Sequence, residues 1–222
     1  MSLVFVIGAA GQIGRHLVTR LCTKGRKVRA LHRQPAQAGL LAAAGATPVA
    51  GDLQALDADT LAEAMRGCDV LVFTAGAGGQ GGAERTRAID GDGLELTVAA
   101  AQAAGVRRLL LVSAFPEAGR GKALADTFEV YMAVKKAADV HLAQSGLDWV
   151  ILRPGTLVDT AGTGRISAGP AIAYGQVPRE DVAATLVAQV ERPAVRRVII
   201  ELTTGSLPIA EALDYLEPDA AA

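Results

Sequence analysis

The sequence predicts an α/β fold: a doubly wound, mostly parallel sheet with helices on both faces, in a single domain. Three observations carry this. Apolar, β-branched runs alternate with helical patterns along the chain; those runs lack polar alternation; and the first of them enters the first helix through evenly spaced glycines. Strands without polar alternation are buried on both faces, as a parallel sheet covered by helices requires. With 222 residues, half of them apolar, the chain can build one large domain with a core on each side of the sheet.

The elements follow in order. The run VFVI at residues 4–7 is the first strand, and Ile13, Leu17, Val18 and Leu21 mark the inward face of the helix behind it. Residues 27–32 read as a second strand, 36–44 as a short Ala/Leu helix and 47–50 as a third strand. A helix over 56–65 turns Leu56, Leu61, Ala64 and Met65 inward, and 70–74 is an all-apolar fourth strand. One long helix is expected over 84–104, then a fifth strand at 108–112 and a helix over 127–144 with Val130, Val134 and Ala138 inward. A sixth strand at 149–152, a helix at 179–190 and a seventh strand at 198–202 complete the array. Gly25, Gly45, Gly105 and Gly146 stand where a helix ends before a strand. The domain is expected to span 1–216, with a small substrate segment at 154–178 and a frayed tail at 217–222.

Composition excludes several classes of function. A formal charge of −1 with scattered Lys and Arg provides no basic stripe for nucleic acid and no polybasic segment for a membrane. Cys22 and Cys68 are far apart, without a CxxC pair, and read as buried thiols in a reducing compartment. The histidines lack metal spacing, with His16 and His141 on helix surfaces, so no metal is expected. With no membrane-length apolar run and no leader-like start, a cytoplasmic address is expected, for a monomer or small homo-oligomer with a small-molecule substrate.

The first strand-to-helix turn reads VFVIGAAGQIG over residues 4–14. Gly8 takes the tight turn, Gly11 leaves no side chain between backbone and a pyrophosphate, and Gly14 lets the helix lie close to the strand. The first-turn amides, at Gln12, Ile13 and Gly14, then face an anion. Ala10 stands where the dehydrogenase fingerprint GxGxxG has its second glycine, so an ordinary structural turn is the competing reading. At the end of the second strand, where an acid normally meets a ribose 2′-hydroxyl, the chain has His32 and Arg33. A guanidinium pairs with a 2′-phosphate, so Arg33, helped by His32, points to NADP(H) over NAD(H), unless it is a solvated loop charge. Asp52, in the GDL that includes Leu53, can accept from an adenine amino group or cap a turn, and Ala75 and Gly76 let backbone approach the riboses.

GAAGQIGRHLV, GDL at 51–53, FTAG at 73–76, VSA at 112–114, YMAVK at 131–135 and ILRPG at 151–155 together resemble the short-chain dehydrogenase/reductase superfamily. They are most similar to its small atypical, NmrA-like or epimerase-like NAD(P)-binding members, and the resemblance covers nearly the whole chain. It implies a Rossmann core and an NADP(H) site along the C-terminal edges of the strands. It also implies an Asn, Ser, Tyr, Lys tetrad, matched by Ser113, Tyr131 and Lys135. Asp90 stands where the related extended enzymes carry Asn, which alters charge and proton relay. In that family, backbone at Pro154 and Gly155 meets the nicotinamide, and substrate contacts come from the segment here at 156–177. Independently, Tyr131 and Lys135 are i and i+4 on one helix face, and an ammonium beside a phenol is expected to lower its pKa toward neutrality. Ser113 would hydrogen-bond a substrate oxygen, and Lys135 would also hold the nicotinamide ribose. Two readings result. One is an NADP-dependent oxidoreductase or epimerase for a small carbonyl, quinone or flavin-like substrate; the other is a non-catalytic NADP(H)-sensing regulator of the NmrA-like type.

Overall fold

The computed structural model describes residues 2–119 and 125–217. The chain runs β1 (Leu3–Ile7), α1 (Gln12–Thr23), β2 (Lys27–His32), α2 (Pro35–Ala43), β3 (Thr47–Ala50), α3 (Ala58–Met65) and β4 (Val70–Phe73). Next come α4 (Gly82–Thr86), a π-helical turn (Arg87–Asp92), α5 (Gly93–Ala104), β5 (Arg108–Val112), α6 (Asp126–Gln144) and β6 (Asp148–Pro154). The remainder is β7 (Thr156–Val158), β8 (Arg165–Gly169), β9 (Gln176–Pro178), α7 (Arg179–Val190), β10 (Val198–Thr204), β11 (Leu207–Pro208) and α8 (Ile209–Asp214).

Among the described residues, nine strands form one sheet in the order β11-β8-β10-β6-β5-β4-β1-β2-β3. From β10 through β3 every pairing is parallel. β8 is antiparallel to β10 and β11, while β7 and β9 pair in a separate small sheet. The alternation within β1 explains the two layers: Val4 and Val6 join α1 and α7 in one core, Phe5 and Ile7 join α3, α5 and α6 in the other, and all four are fully buried. The strand order reverses at β1, with β2 and β3 to one side and β4 onward to the other. In an open parallel sheet the crevice at such a reversal, beyond the strand C-termini, is where ligands bind.

Several expectations are corrected. The helix expected over 84–104 is interrupted by the π turn, which accommodates the withdrawal of the Asp90 carboxylate toward α6 and the β4 loop. In α6 the buried positions are Lys135, Ala138, Asp139 and Leu142, so Val130 and Val134 lie only partly covered, along the groove toward α5. The segment 154–178 contains three short strands, whose glycines and brevity suppress any periodic signal. The C-terminal β11 and α8 also lacked a legible pattern. Residues 218–222 of the expected tail lie outside the described residues. Both cysteines are free; Cys68 is buried, Cys22 half-buried, and burial pushes both thiols up. Among the described residues, no helix is long and apolar enough to cross a membrane.

Gly14 is a requirement of the fold itself. A Cβ there would lie 2.1 Å from the Gly8 carbonyl oxygen and 2.8 Å from Ala9 Cα, whereas one at Gly11 would meet only Gly8 O at 3.1 Å. Gly14→Val is therefore expected to cost on the order of 3 kcal/mol or more in thermal unfolding followed by circular dichroism, with Gly11→Ala near wild type. Equal stability of the two variants would show that α1 does not depend on this contact.

Candidate functional site

A cleft of about 250 Å³ opens at the strand-order reversal. Its floor is the glycine turn. Gly8 has φ +81°, and a Cβ on it would sit 2.5 Å from the Ala75 amide nitrogen, so β1 and the end of β4 touch through bare backbone. Thr74 ties the same strands, its amide and hydroxyl donating to Ile7 O at 2.9 and 3.0 Å. Gly11 N–caps α1 with no side-chain cap and no acid in the first turn. The amides of Gln12, Ile13 and Gly14 lack the intrahelical acceptors that residues deeper in the helix have. Gln12 is exposed beside the cleft, while Ile13 and Gly14 face the core. An uncapped helix start without an opposing carboxylate, behind a glycine that leaves the approach clear, fits a pyrophosphate.

The β2 end supplies the next wall. His32 is buried, its Nδ1 3.1 Å from Gln34 O, and Arg33 is exposed at the cleft with its amide donating to Gln37 Oε1 at 3.2 Å. Among the described residues, no carboxylate pairs with the Arg33 guanidinium. Arg29 points elsewhere, donating to Ala64 O and Arg66 O at 3.0 and 2.8 Å. Asp52 and Leu53 line the cleft; Asp52 Oδ1 already accepts from the Gln54 amide at 3.1 Å, so one oxygen caps a turn. Ala75 and Gly76 complete the wall, joined by Gln37, Arg85 and Ile89. These last three were not foreseen. Arg85 precedes the π turn that places Ile89, and the glycine-rich approach to it reads as plain loop.

Asp90 links this cleft to a second region. It is 2% exposed, accepts from the Ala77 amide at 2.9 Å through Oδ2, and lies with Oδ1 3.3 Å from Lys135 Nζ. Lys135, 4% exposed, also donates to Val112 O at 2.9 Å. Ser113 follows β5, with its amide bonded to Leu152 O at 2.8 Å and its buried hydroxyl unpartnered. Ser113 and Lys135 line one cavity of about 480 Å³ together with the Asp139–Arg153 pair, whose Nη2 to Oδ2 distance is 2.8 Å. Asp139 and Arg153 were also missed; Asp139 lies one turn beyond Lys135, on the same helix face.

Tyr131 is placed differently from expectation. It lines a separate cavity of about 260 Å³ with Phe128, Thr86 and Gly82, and the Lys135 ammonium is engaged by Asp90 and Val112. Burial, then the charges of Asp90 and Asp139, push its phenol up to about 12, the opposite of the expected lowering. Pro154 is buried at the end of β6. At Gly155 a Cβ would meet Gly175 O at 2.2 Å, so this glycine lets segment 154–178 fold back on itself. Tyr174 then packs edge-on to Phe115 at 5.3 Å, two residues beyond Ser113, with its hydroxyl 2.5 Å from Thr156 Oγ1. Among the described residues, no group of three or more His, Cys, Asp or Glu side chains has the arrangement of a metal site.

Comparison with known proteins identifies the family of the chain. The NAD(P)H-binding family matches residues 8–193. The chain is 38% identical over 214 residues to the "Uncharacterized sugar epimerase YhfK" of Bacillus subtilis, covering 96% of this chain and 99% of that one. A Bacillus halodurans structure named for the NAD-dependent epimerase/dehydratase class superposes with a TM-score of 0.89 at 29% identity, over 97% of this chain and all of that one. ChuY, an anaerobilin reductase from Escherichia coli O157:H7, superposes at 0.76 with 26% identity, over 93% and 98% of the two chains.

The buried Asp90–Lys135 pair has a direct consequence for stability. Asp90→Asn keeps the size of the side chain but leaves the ammonium without its counter-charge, which costs about 3–5 kcal/mol for a buried pair broken on one side. Chemical denaturation should register that loss, and Asp90→Asn combined with Lys135→Met should recover much of it. An Asp90→Asn variant as stable as wild type would contradict a buried ion pair here.

Proposed function

The chain belongs to the NAD(P)H-binding family, and from that premise we propose that it is an NADP(H)-dependent oxidoreductase or epimerase acting on a small carbonyl, quinone or flavin-like compound. The observation that carries the enzymatic reading is the unpartnered Ser113 hydroxyl beside the Lys135 ammonium in one cavity, joined through Asp90 to the backbone of the cleft. A buried hydroxyl with no partner forgoes about 1–3 kcal/mol, a cost a substrate oxygen would relieve. When bound, a nicotinamide cofactor supplies or takes up hydride. The chain's own residues do the rest: Gly8, Gly11, Gln12, Ile13 and Gly14 hold the pyrophosphate at the turn. Ala75 and Gly76 would let backbone approach the riboses, Asp52 and Leu53 would take the adenine, and Arg33 would take a 2′-phosphate; Pro154 and Gly155, the latter packed against Gly175 O, are not among the residues lining the cleft.

Ser113 donates to the substrate oxygen and fixes its position. Lys135, held by Asp90 and Val112 O, keeps a positive charge where negative charge develops on that oxygen. Tyr131 lines its own cavity and is held in the protonated form by burial and by the charges of Asp90 and Asp139; in the oxidoreductase reading it is the residue that gives a proton to the reduced oxygen. The sensor reading draws on the same tyrosine: with Lys135 committed to Asp90, nothing lowers the phenol's pKa, and a regulator has no need of that.

Calorimetry, turnover and ultraviolet titration test the proposal. By calorimetry NADP⁺ should bind about 10–100-fold more tightly than NAD⁺, with Arg33→Ala erasing most of the difference, as expected for a charge-assisted pair; equal affinities in the wild type would overturn the preference. Tyr131→Phe should lower the rate of NADPH-dependent reduction by roughly 10²–10⁴-fold with cofactor affinity unchanged. In ultraviolet titration the Tyr131 signal, isolated by difference from Tyr131→Phe, should rise near pH 12. Full activity of Tyr131→Phe would remove it from the chemistry, and absence of turnover with NADPH across carbonyls, quinones and flavins would favour the sensor.

A further inference from the structure

Arg85 reaches the cleft from α4, on the β4 side of the glycine turn, whereas Arg33 enters beyond β2 on the other side. Its Nε is buried and has no hydrogen-bond partner. The side chain leans back over the start of its own helix, as helical side chains do. Gly81 makes room for it: a Cβ there would stand 2.6 Å from Arg85 Cδ and 2.9 Å from its Cβ. Arg85 shares its part of the wall with Ile89, one turn along the chain, and the wall continues to Leu53 and Asp52, the acid of the cleft. Apolar side chains flanking a planar cation, with an acceptor at the edge, are the complement of a flat base carrying an amino group.

Resting on the dinucleotide reading, we infer that Arg85 is a second clamp for the adenosine half of the cofactor, its guanidinium lying against the purine face while Arg33 meets the 2′-phosphate. The planar group is what the contact uses, so charge alone does not replace it. Gly81 serves the clamp by leaving the path of the side chain clear.

Calorimetry with NADP⁺ and with 2′,5′-ADP, at one ionic strength, tests this on the wild type, Arg85→Met, Arg85→Lys and Gly81→Ala. Arg85→Met and Arg85→Lys should each weaken both ligands about tenfold, and Gly81→Ala should weaken them in the same direction. Wild-type affinity in Arg85→Met, or in Arg85→Lys, would overturn the clamp. A loss for NADP⁺ without one for 2′,5′-ADP would assign Arg85 to the nicotinamide half and also overturn it. Failure of the wild type to bind either ligand would overturn the NADP(H) reading on which the clamp rests, and the clamp with it.

Discussion

Three stretches of backbone meet at Gly8, and no side chain fits between them. A Cβ on Gly8 would strike the Ala75 amide, and one on Gly14 would strike the Gly8 carbonyl. This contact fixes how deep α1 sits against β1 and where its uncapped amides lie relative to the end of β4. Glycine loses more freedom on folding than any other residue, by roughly 0.5–1 kcal/mol against alanine, so its use at both positions is repaid by close approach. The cleft is thus a consequence of how the first βα unit packs on the fourth strand.

From that contact a short chain of polar interactions runs to the second cavity. Gly76 lies against Asp90, Asp90 receives the Ala77 amide and the Lys135 ammonium, and Lys135 reaches the carbonyl at the end of β5 next to Ser113. Charges removed from water are kept in pairs here, Asp90 with Lys135 and Asp139 with Arg153. Both carboxylates also bear on Tyr131, whose phenol they hold in its protonated form together with burial. The carboxylate at position 90 therefore does two things a neutral amide would not: it pairs with the lysine ammonium and raises the tyrosine.

The parallel array was legible because its strands are apolar on both faces; β1, with Val4 and Val6 on one side and Phe5 and Ile7 on the other, is the clearest case. The glycine turn was legible because backbone contact leaves a residue type behind it. Other features left no such trace. The π turn that draws Asp90 inward depends on a partner 45 residues away, and the rotation of α6 that buries Lys135 and Asp139 in place of Val130 and Val134 is set by ion pairs across the fold. Spacing put Tyr131 and Lys135 on one helix face but said nothing of Asp90, which takes the ammonium. Within 154–178, β7 and β9 are held by each other and by the backbone contact between Gly155 and Gly175, invisible to any hydrophobic period.

A dinucleotide lying across the C-terminal ends of β1, β2 and β4, over the glycine turn, would shield the amides there from solvent. Amide hydrogen exchange with and without saturating NADPH tests it most directly. Protection is expected at residues 8–14, 32–34 and 74–77, with exchange at 194–217 unchanged. Unaltered exchange at 8–14 under saturation, or protection confined to the far end of the sheet, would contradict it.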